Sequence, residues 1–251
     1  MKRRNRFLSS IIIFIVVVGS IIYFFNNSKP SSFPSDDELL NKINETYSRA
    51  HATVIQDSIF LDDQHVYVPF INSEGSYGSS FWIWKKGKWR VAGIDTIGEP
   101  TVWKINESDP KTYHIVWNIP PENNIKNITY YMMKKRTFQV SGKEASYYPQ
   151  IQMDSKVSTN DKSYGVWQIP SEWVLIMDAE KELESASHPS LLNLEVITHG
   201  KNTVFKWIAY NNENERVYPD YPVNGASFVA EDVNTDFVYD IERSEIESLM
   251  K

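Results

Sequence analysis

Nineteen consecutive residues near the start of the chain, Phe7 to Phe25 (FLSSIIIFIVVVGSIIYFF), contain no charge and no proline. As a helix they span about 28 Å, close to the roughly 30 Å of hydrocarbon in a bilayer. Ser9, Ser10 and Ser20 are tolerated there, because a helix satisfies its own backbone and a hydroxyl can bond back to it. Lys2, Arg3, Arg4 and Arg6 precede the run, and the next charge after it is Lys29. That asymmetry puts Met1 in the cytoplasm and Asn26 onward outside. A cleaved secretory signal shares the basic start and the apolar run, and Val18-Gly19-Ser20 offers a weak cleavage site. The run, however, continues to Phe25, past the usual apolar core of about 7–15 residues. The expectation is therefore an uncleaved single-pass anchor, with a cytoplasmic stub over 1–6, a transmembrane helix over 7–25 and a C-terminal domain that is extracytoplasmic. Six cytoplasmic residues are too few for a signalling domain, so function is expected outside.

Composition narrows the setting. The chain has no cysteine, so it forms no disulfide, uses no thiolate and has no site for a lipid thioether. Secreted animal domains often carry disulfides, so their absence leans toward a bacterial-type cell envelope. In that setting the sequons at Asn26, Asn44, Asn106 and Asn127 carry little meaning. Beyond the four cations before the apolar run, 22 Lys and Arg face 32 Asp and Glu, a net charge of −10. An acidic surface repels phosphate backbones, which argues against nucleic acid and anionic lipid as partners.

Residues 26–35, NNSKPSSFPS, read as an extended tether. Ser35-Asp36-Asp37-Glu38 has the capping-box form S-x-x-E, and Leu39, Leu40, Ile43, Tyr47 and Ala50 follow at helical spacing. A helix is predicted from Asp36 to about Ala50. The hydrophobic period then switches to two, predicting strands over residues 53–61, 65–71, 79–85, 88–94 and 101–105, with Lys85-Lys86-Gly87 as a three-residue hairpin loop. Residues 36–108 are thus expected to form an α+β unit, one helix on an antiparallel meander. Further strands are predicted over 113–119, 128–140, 164–169, 173–177, 194–199, 203–210 and 237–241, with short helices over 178–187 and 242–251. Residues 109–251 read as a β-sandwich-like domain. The fold class is mainly β, α+β overall.

One internal echo stands out. Val116-Trp117-Asn118-Ile119-Pro120-Pro121-Glu122 returns fifty residues later as Val166-Trp167-Gln168-Ile169-Pro170-Ser171-Glu172, each preceded by K-[ST]-Y. Fifty residues are short for a whole sandwich of about 100, so the copies read as pseudo-equivalent strands of one domain, each burying its Trp.

Catalytic motifs are scarce. The ten glycines build no phosphate-cradling loop, and Gly225-Ala226-Ser227 lacks the second glycine of a hydrolase elbow. The two S-x-x-K matches, Ser108–Lys111 and Ser248–Lys251, have no companion motifs. His51, His65, His114, His188 and His199 show no i,i+4 pair, so no metal site and no cofactor is predicted. Asp232-Val233-Asn234-Thr235-Asp236 has the opening spacing of a calcium loop, but Phe237 stands where glycine is needed and Arg243 where the bidentate Glu belongs; it reads as an Asx-rich turn. Asp95, Glu99, Glu122 and Glu172 lie near predicted strand ends, where paired carboxylates for glycosidic hydrolysis would have to be sought.

The aromatic content is more informative, at eight Trp, fourteen Tyr and twelve Phe. In Phe81-Trp82-Ile83-Trp84 both strand faces are apolar. Such a strand is either buried on both sides or offers an aromatic platform, with core packing the commoner outcome. Val217-Tyr218-Pro219-Asp220-Tyr221-Pro222 forms a second aromatic spot, held out of a central strand by its prolines. Trp82, Trp84, Trp89, Tyr218 and Tyr221 are the candidate ligand-binding residues. The chain is expected to be a membrane-anchored binding or interaction module for envelope polysaccharide or an exported protein. An envelope hydrolase using two carboxylates and a structural or assembly component are the alternatives.

Overall fold

A computed structural model describes residues 14, 16–18, 29–134, 136–141, 144–148, 150–186, 203–222, 224–230 and 233–246. Apart from Phe14 and Val16, Val17 and Val18, which are helical and exposed, the expected membrane span lies outside the described residues. Among the described residues no helix is long and apolar enough to cross a membrane.

Helix α1 (Asp36–Thr46) leads into β1 (Ala52–Ile55), β2 (Ile59–Phe60), β3 (His65–Asn72), β4 (Tyr77–Lys85) and β5 (Lys88–Asp95). Next come β6 (Thr101–Lys104), β7 (Tyr113–Asn118), β8 (Asn127–Lys134), β9 (Thr137–Ser141), β10 (Glu144–Tyr148), β11 (Ile151–Ser158) and β12 (Tyr164–Gln168). Helix α2 (Ser171–Ala186) precedes β13 (Thr203–Tyr210), β14 (Arg216–Val217), β15 (Ser227–Val229), β16 (Asn234–Phe237) and β17 (Tyr239–Asp240). The protein is mainly β. The first sheet runs β1-β3-β4-β5-β15 with β2 on β3; the second runs β12-β7-β6-β16; the third runs β11-β8-β13-β14 with β17 on β13. Strands β9 and β10 form a separate hairpin. Pairing is antiparallel except where β17 lies parallel to β13.

Helix α1 starts where its capping box requires, with the Glu38 carboxylate accepting from the Ser35 backbone N–H at 3.0 Å. It ends at Thr46, short of the predicted Ala50. The Asn44 side chain bonds both backbone groups of Ala52, at 2.8 and 2.9 Å, which turns the chain back into β1, while His51 takes a left-handed φ of 46°. Leu39 and Ile43 pack with Val66, Val68, Phe70 and Trp82 of the first sheet. The β4–β5 loop has two residues rather than three: Lys86 at φ 54° and Gly87 at φ 74°, the twisted turn that suits paired strands.

The second sheet lies between the other two. Tyr113, Ile115 and Trp117 of β7 join Ile128, Tyr130, Met132, Phe205 and Trp207 of the third sheet, whereas Val116 joins Tyr67, Phe81 and Trp103 on the side of the first. All six residues of β7 are buried, which its unbroken YHIVWN permits. Position 108 falls between β6 and β7, neighbours in this sheet. Polar bonds tie the first sheet to the second. The Tyr67 hydroxyl donates to the Trp117 carbonyl at 2.9 Å, and the Asn118 amide donates to the carbonyls of Phe70 and Gly78 at 3.1 and 2.7 Å.

The two echo copies are neighbours. Strands β7 and β12 pair antiparallel with Val116 opposite Val166. After each strand a proline ends the ladder, leading into a 3₁₀ turn at Pro121–Asn123 in one copy and into α2 in the other. Trp117 is buried and Trp167 is partly so, stacked on Tyr130 at 5.2 Å.

Several strand expectations fail for identifiable reasons. Residues 173–177 lie inside α2, with Trp173 and Val174 buried and Leu175 68% exposed, a helical rather than alternating pattern. A short apolar run fits either element, and the helix-forming residues that follow it decide. Residues 128–140 divide between β8 and β9, and 53–61 between β1 and β2. Asn234 and Asp236, read as part of a turn, lie in β16, where Asp236 pairs with Lys104. Of the two C-terminal helices expected, residues 178–186 extend α2, and Arg243–Glu245 forms only a 3₁₀ turn. Residues 194–199 and 247–251, Asp232, His188 and His199 lie outside the described residues.

Candidate ligand pocket

Two strands share one edge of β13 end to end. Strand β14 pairs Ala209 with Val217 and Tyr210 with Arg216, while β17 pairs Lys206 with Tyr239 and Trp207 with Asp240. Pro219 and Pro222 lack the N–H that would continue the ladder, so residues 218–222 leave the sheet. The pocket that results has a volume of about 280 Å³. Buried Trp207 lies at its base, Tyr218, Tyr221, Phe237 and Tyr239 supply its aromatic walls, and Glu99 and Asp240 bring carboxylates to it.

The Glu99 side is held by the end of β5. The Asp95 carboxylate accepts from the N–H groups of Ile97 and Gly98 at 3.3 and 2.9 Å. Gly98 sits at φ 73°, and a β-carbon there would come within 2.2 Å of the Asn118 carbonyl oxygen, so only glycine fits this turn. Thr96 and Ala226 exchange bonds of 2.9–3.1 Å, which link the turn to the chain beyond Tyr221. On the opposite side Arg216 pairs with Asp240 at 2.6 Å and lies over the Tyr218 ring at 4.3 Å.

The electrostatics follow from burial. Desolvation raises the Asp95 carboxyl against its backbone donors, and burial followed by the Asp95 charge raises Glu99. Burial, then Glu99, Asp95 and Asp240, hold the Tyr221 phenol well above its ordinary value. The Tyr221 hydroxyl is buried without a hydrogen-bond partner among the described residues, as are the Tyr130 hydroxyl and the Trp117 indole N–H. Tyr130 stands opposite Trp207 in the β8–β13 register, whereas Trp117 lines a separate cavity.

The five sequence candidates separate. Trp82 is fully buried, donating its indole N–H to Ser80 Oγ at 3.0 Å, and Trp89 is nearly buried, donating to the Ser31 carbonyl at 3.1 Å. Both are core residues rather than an open platform, because α1 covers their face of the sheet. Trp84 is half-buried against Trp89 at 5.6 Å. Only Tyr218 and Tyr221 come together at a cavity. Of the carboxylates, Glu99 lines the pocket and Asp95 holds the turn that leads to it, whereas Glu122 and Glu172 are exposed in the first turns of other elements. Sequence reasoning missed Trp207, Arg216, Phe237, Tyr239 and Asp240, which come from separate segments and carry no shared spacing signal.

A second cavity of about 200 Å³ lies at the ends of β7 and β8, lined by Pro120, Pro121, Lys126, Asp161 and Lys162. Its lysine Lys126 is paired with Asp161 at 2.7 Å. Among the described residues no three His, Cys, Asp or Glu side chains are grouped to hold a metal. Comparison with protein-family models, curated proteins and solved structures gives no match.

Proposed function

We propose that the chain is a binding module of a bacterial-type cell envelope, held by a membrane-spanning helix over 7–25 with its folded part outside the cytoplasm, and that the pocket on the β13 edge receives an envelope polysaccharide. The observation that carries the reading is the pocket's make-up, in which exposed Tyr218, Phe237 and Tyr239 line a small cavity together with the Glu99 and Asp240 carboxylates. Aromatic faces stack on the C–H faces of sugar rings, and a few fixed polar groups set orientation. The N-terminal anchor rests on the uncharged run from Phe7 to Phe25 and the four cations before it.

Binding is favoured over hydrolysis because the Asp95 oxygens are engaged by backbone N–H groups and Asp240 is paired with Arg216, so neither stands free as a partner for Glu99. The test is a titration of the full chain in nanodiscs with fragmented envelope polysaccharide, followed by tryptophan emission and by fragment length. A spectral change that Tyr239→Leu removes, with fragments intact, is the expected outcome. Shortened fragments would replace the binding reading by the hydrolase, and no response to glycan would redirect the search to exported protein partners.

A further inference from the structure

Glu99 and Asp240 differ in one respect. Asp240 is neutralised by Arg216 at 2.6 Å, whereas Glu99 has no cation paired with it among the described residues. Glu99 therefore brings uncompensated negative charge beside electron-rich aromatic faces. An anionic ligand would be repelled by this arrangement. A neutral one would leave Glu99 uncompensated. A cation satisfies both features at once, and Arg216 already uses the same pairing of carboxylate and Tyr218 ring within the chain.

The walls narrow the class further: their aromatic faces stack on a sugar ring, and a lysine side chain has no ring to offer. The volume of about 280 Å³ lies at the small end of ligand sites, room for one ring rather than several. Resting on the glycan-binding reading above, we infer that this pocket takes an amino sugar, its protonated amine at Glu99 and its ring face against Tyr239. The upward shift of Glu99 agrees with a carboxylate that lacks its counter-ion.

The experiment is a calorimetric titration of the full chain in neutral-lipid nanodiscs with a glucosamine tetramer and with its fully N-acetylated counterpart. The free-amine tetramer should bind about tenfold more tightly, the scale of a cation–π contact joined to a partly buried ion pair. Glu99→Gln should erase that preference, so that the two tetramers bind the variant equally. A preference that survives Glu99→Gln overturns the assignment of the amine to this carboxylate. Equal affinity of the two tetramers, still weakened by Tyr239→Leu, overturns the amine inference and leaves the glycan reading standing. If neither tetramer binds, both fall together.

Discussion

Residues 81–89 and 218–221 are both dense in aromatics and both contain polar or turn-forming residues between the rings. In the first, α1 lies on one face of β4 and the second sheet on the other, so Phe81 and Trp82 are both buried although they point in opposite directions. In the second, prolines stop the ladder on the β13 edge, and Tyr218 remains 63% exposed while Tyr221 sinks its hydroxyl without finding a partner. Aromatic density alone does not distinguish a core from a binding surface. What distinguishes them is whether another layer covers the strand, and whether the polar ends of the rings are satisfied.

Side-chain truncation should separate the two regions most widely. Trp82→Ala should lower stability by about 3–5 kcal/mol, the usual range for emptying a buried aromatic site, while Tyr218→Ala should stay within about 0.5 kcal/mol. Urea unfolding followed by near-ultraviolet circular dichroism measures both, and similar losses would show that the two clusters do not differ in kind. Ligand affinity should reverse the order. Tyr239→Ala is expected to weaken glycan binding about tenfold, or about 1.4 kcal/mol, and Trp84→Ala to leave it unchanged. If Trp84→Ala weakened binding as much, the β4–β5 hairpin would return as the site.

Tyr221→Phe gives a smaller effect with a telling sign. Removing a buried, unpaired hydroxyl should raise stability of the free protein by about 1 kcal/mol. A loss of stability would mean that the hydroxyl is satisfied within the fold. The smallest effect concerns pH. The folded state holds the Glu99 proton more tightly than the unfolded chain, since burial and then Asp95 raise its carboxyl. Its stabilising contribution is full below the unfolded value, about pH 4, and is lost as pH rises through the raised folded value. Glu99→Gln should therefore lessen the decline of the urea midpoint across that window, with Asp95 supplying the remainder. An unchanged profile would remove Glu99 from the account.

Much of the architecture was legible in local pattern. The S-x-x-E box set the start of α1, alternation marked β3, β4 and β5, and the V-W-[NQ]-I-P echo picked out two strands that turn out to pair side by side. Less legible were β14 and β15, two and three residues long, β11, where Ile151, Met153 and Val157 alternate among polar residues, and the stretch at 173–177, where five apolar residues fit strand and helix equally well. Of the site, Tyr218 and Tyr221 could be named because proline in their own segment barred them from the sheet.

Local pattern settled the features that act within a few residues: the apolar run of 7–25 behind its four cations, the helix cap at Ser35, the alternating strands and the proline-broken tyrosine segment. Which aromatics are core depended on the assembled layers. Helix α1 lies over Trp82, β7 is buried between two sheets, and Glu99 meets Trp207, Tyr221 and Tyr239 at one cavity although more than a hundred residues separate it from them. Periodicity records which face of an element is apolar, whereas burial and pocket formation depend on which other element that face meets.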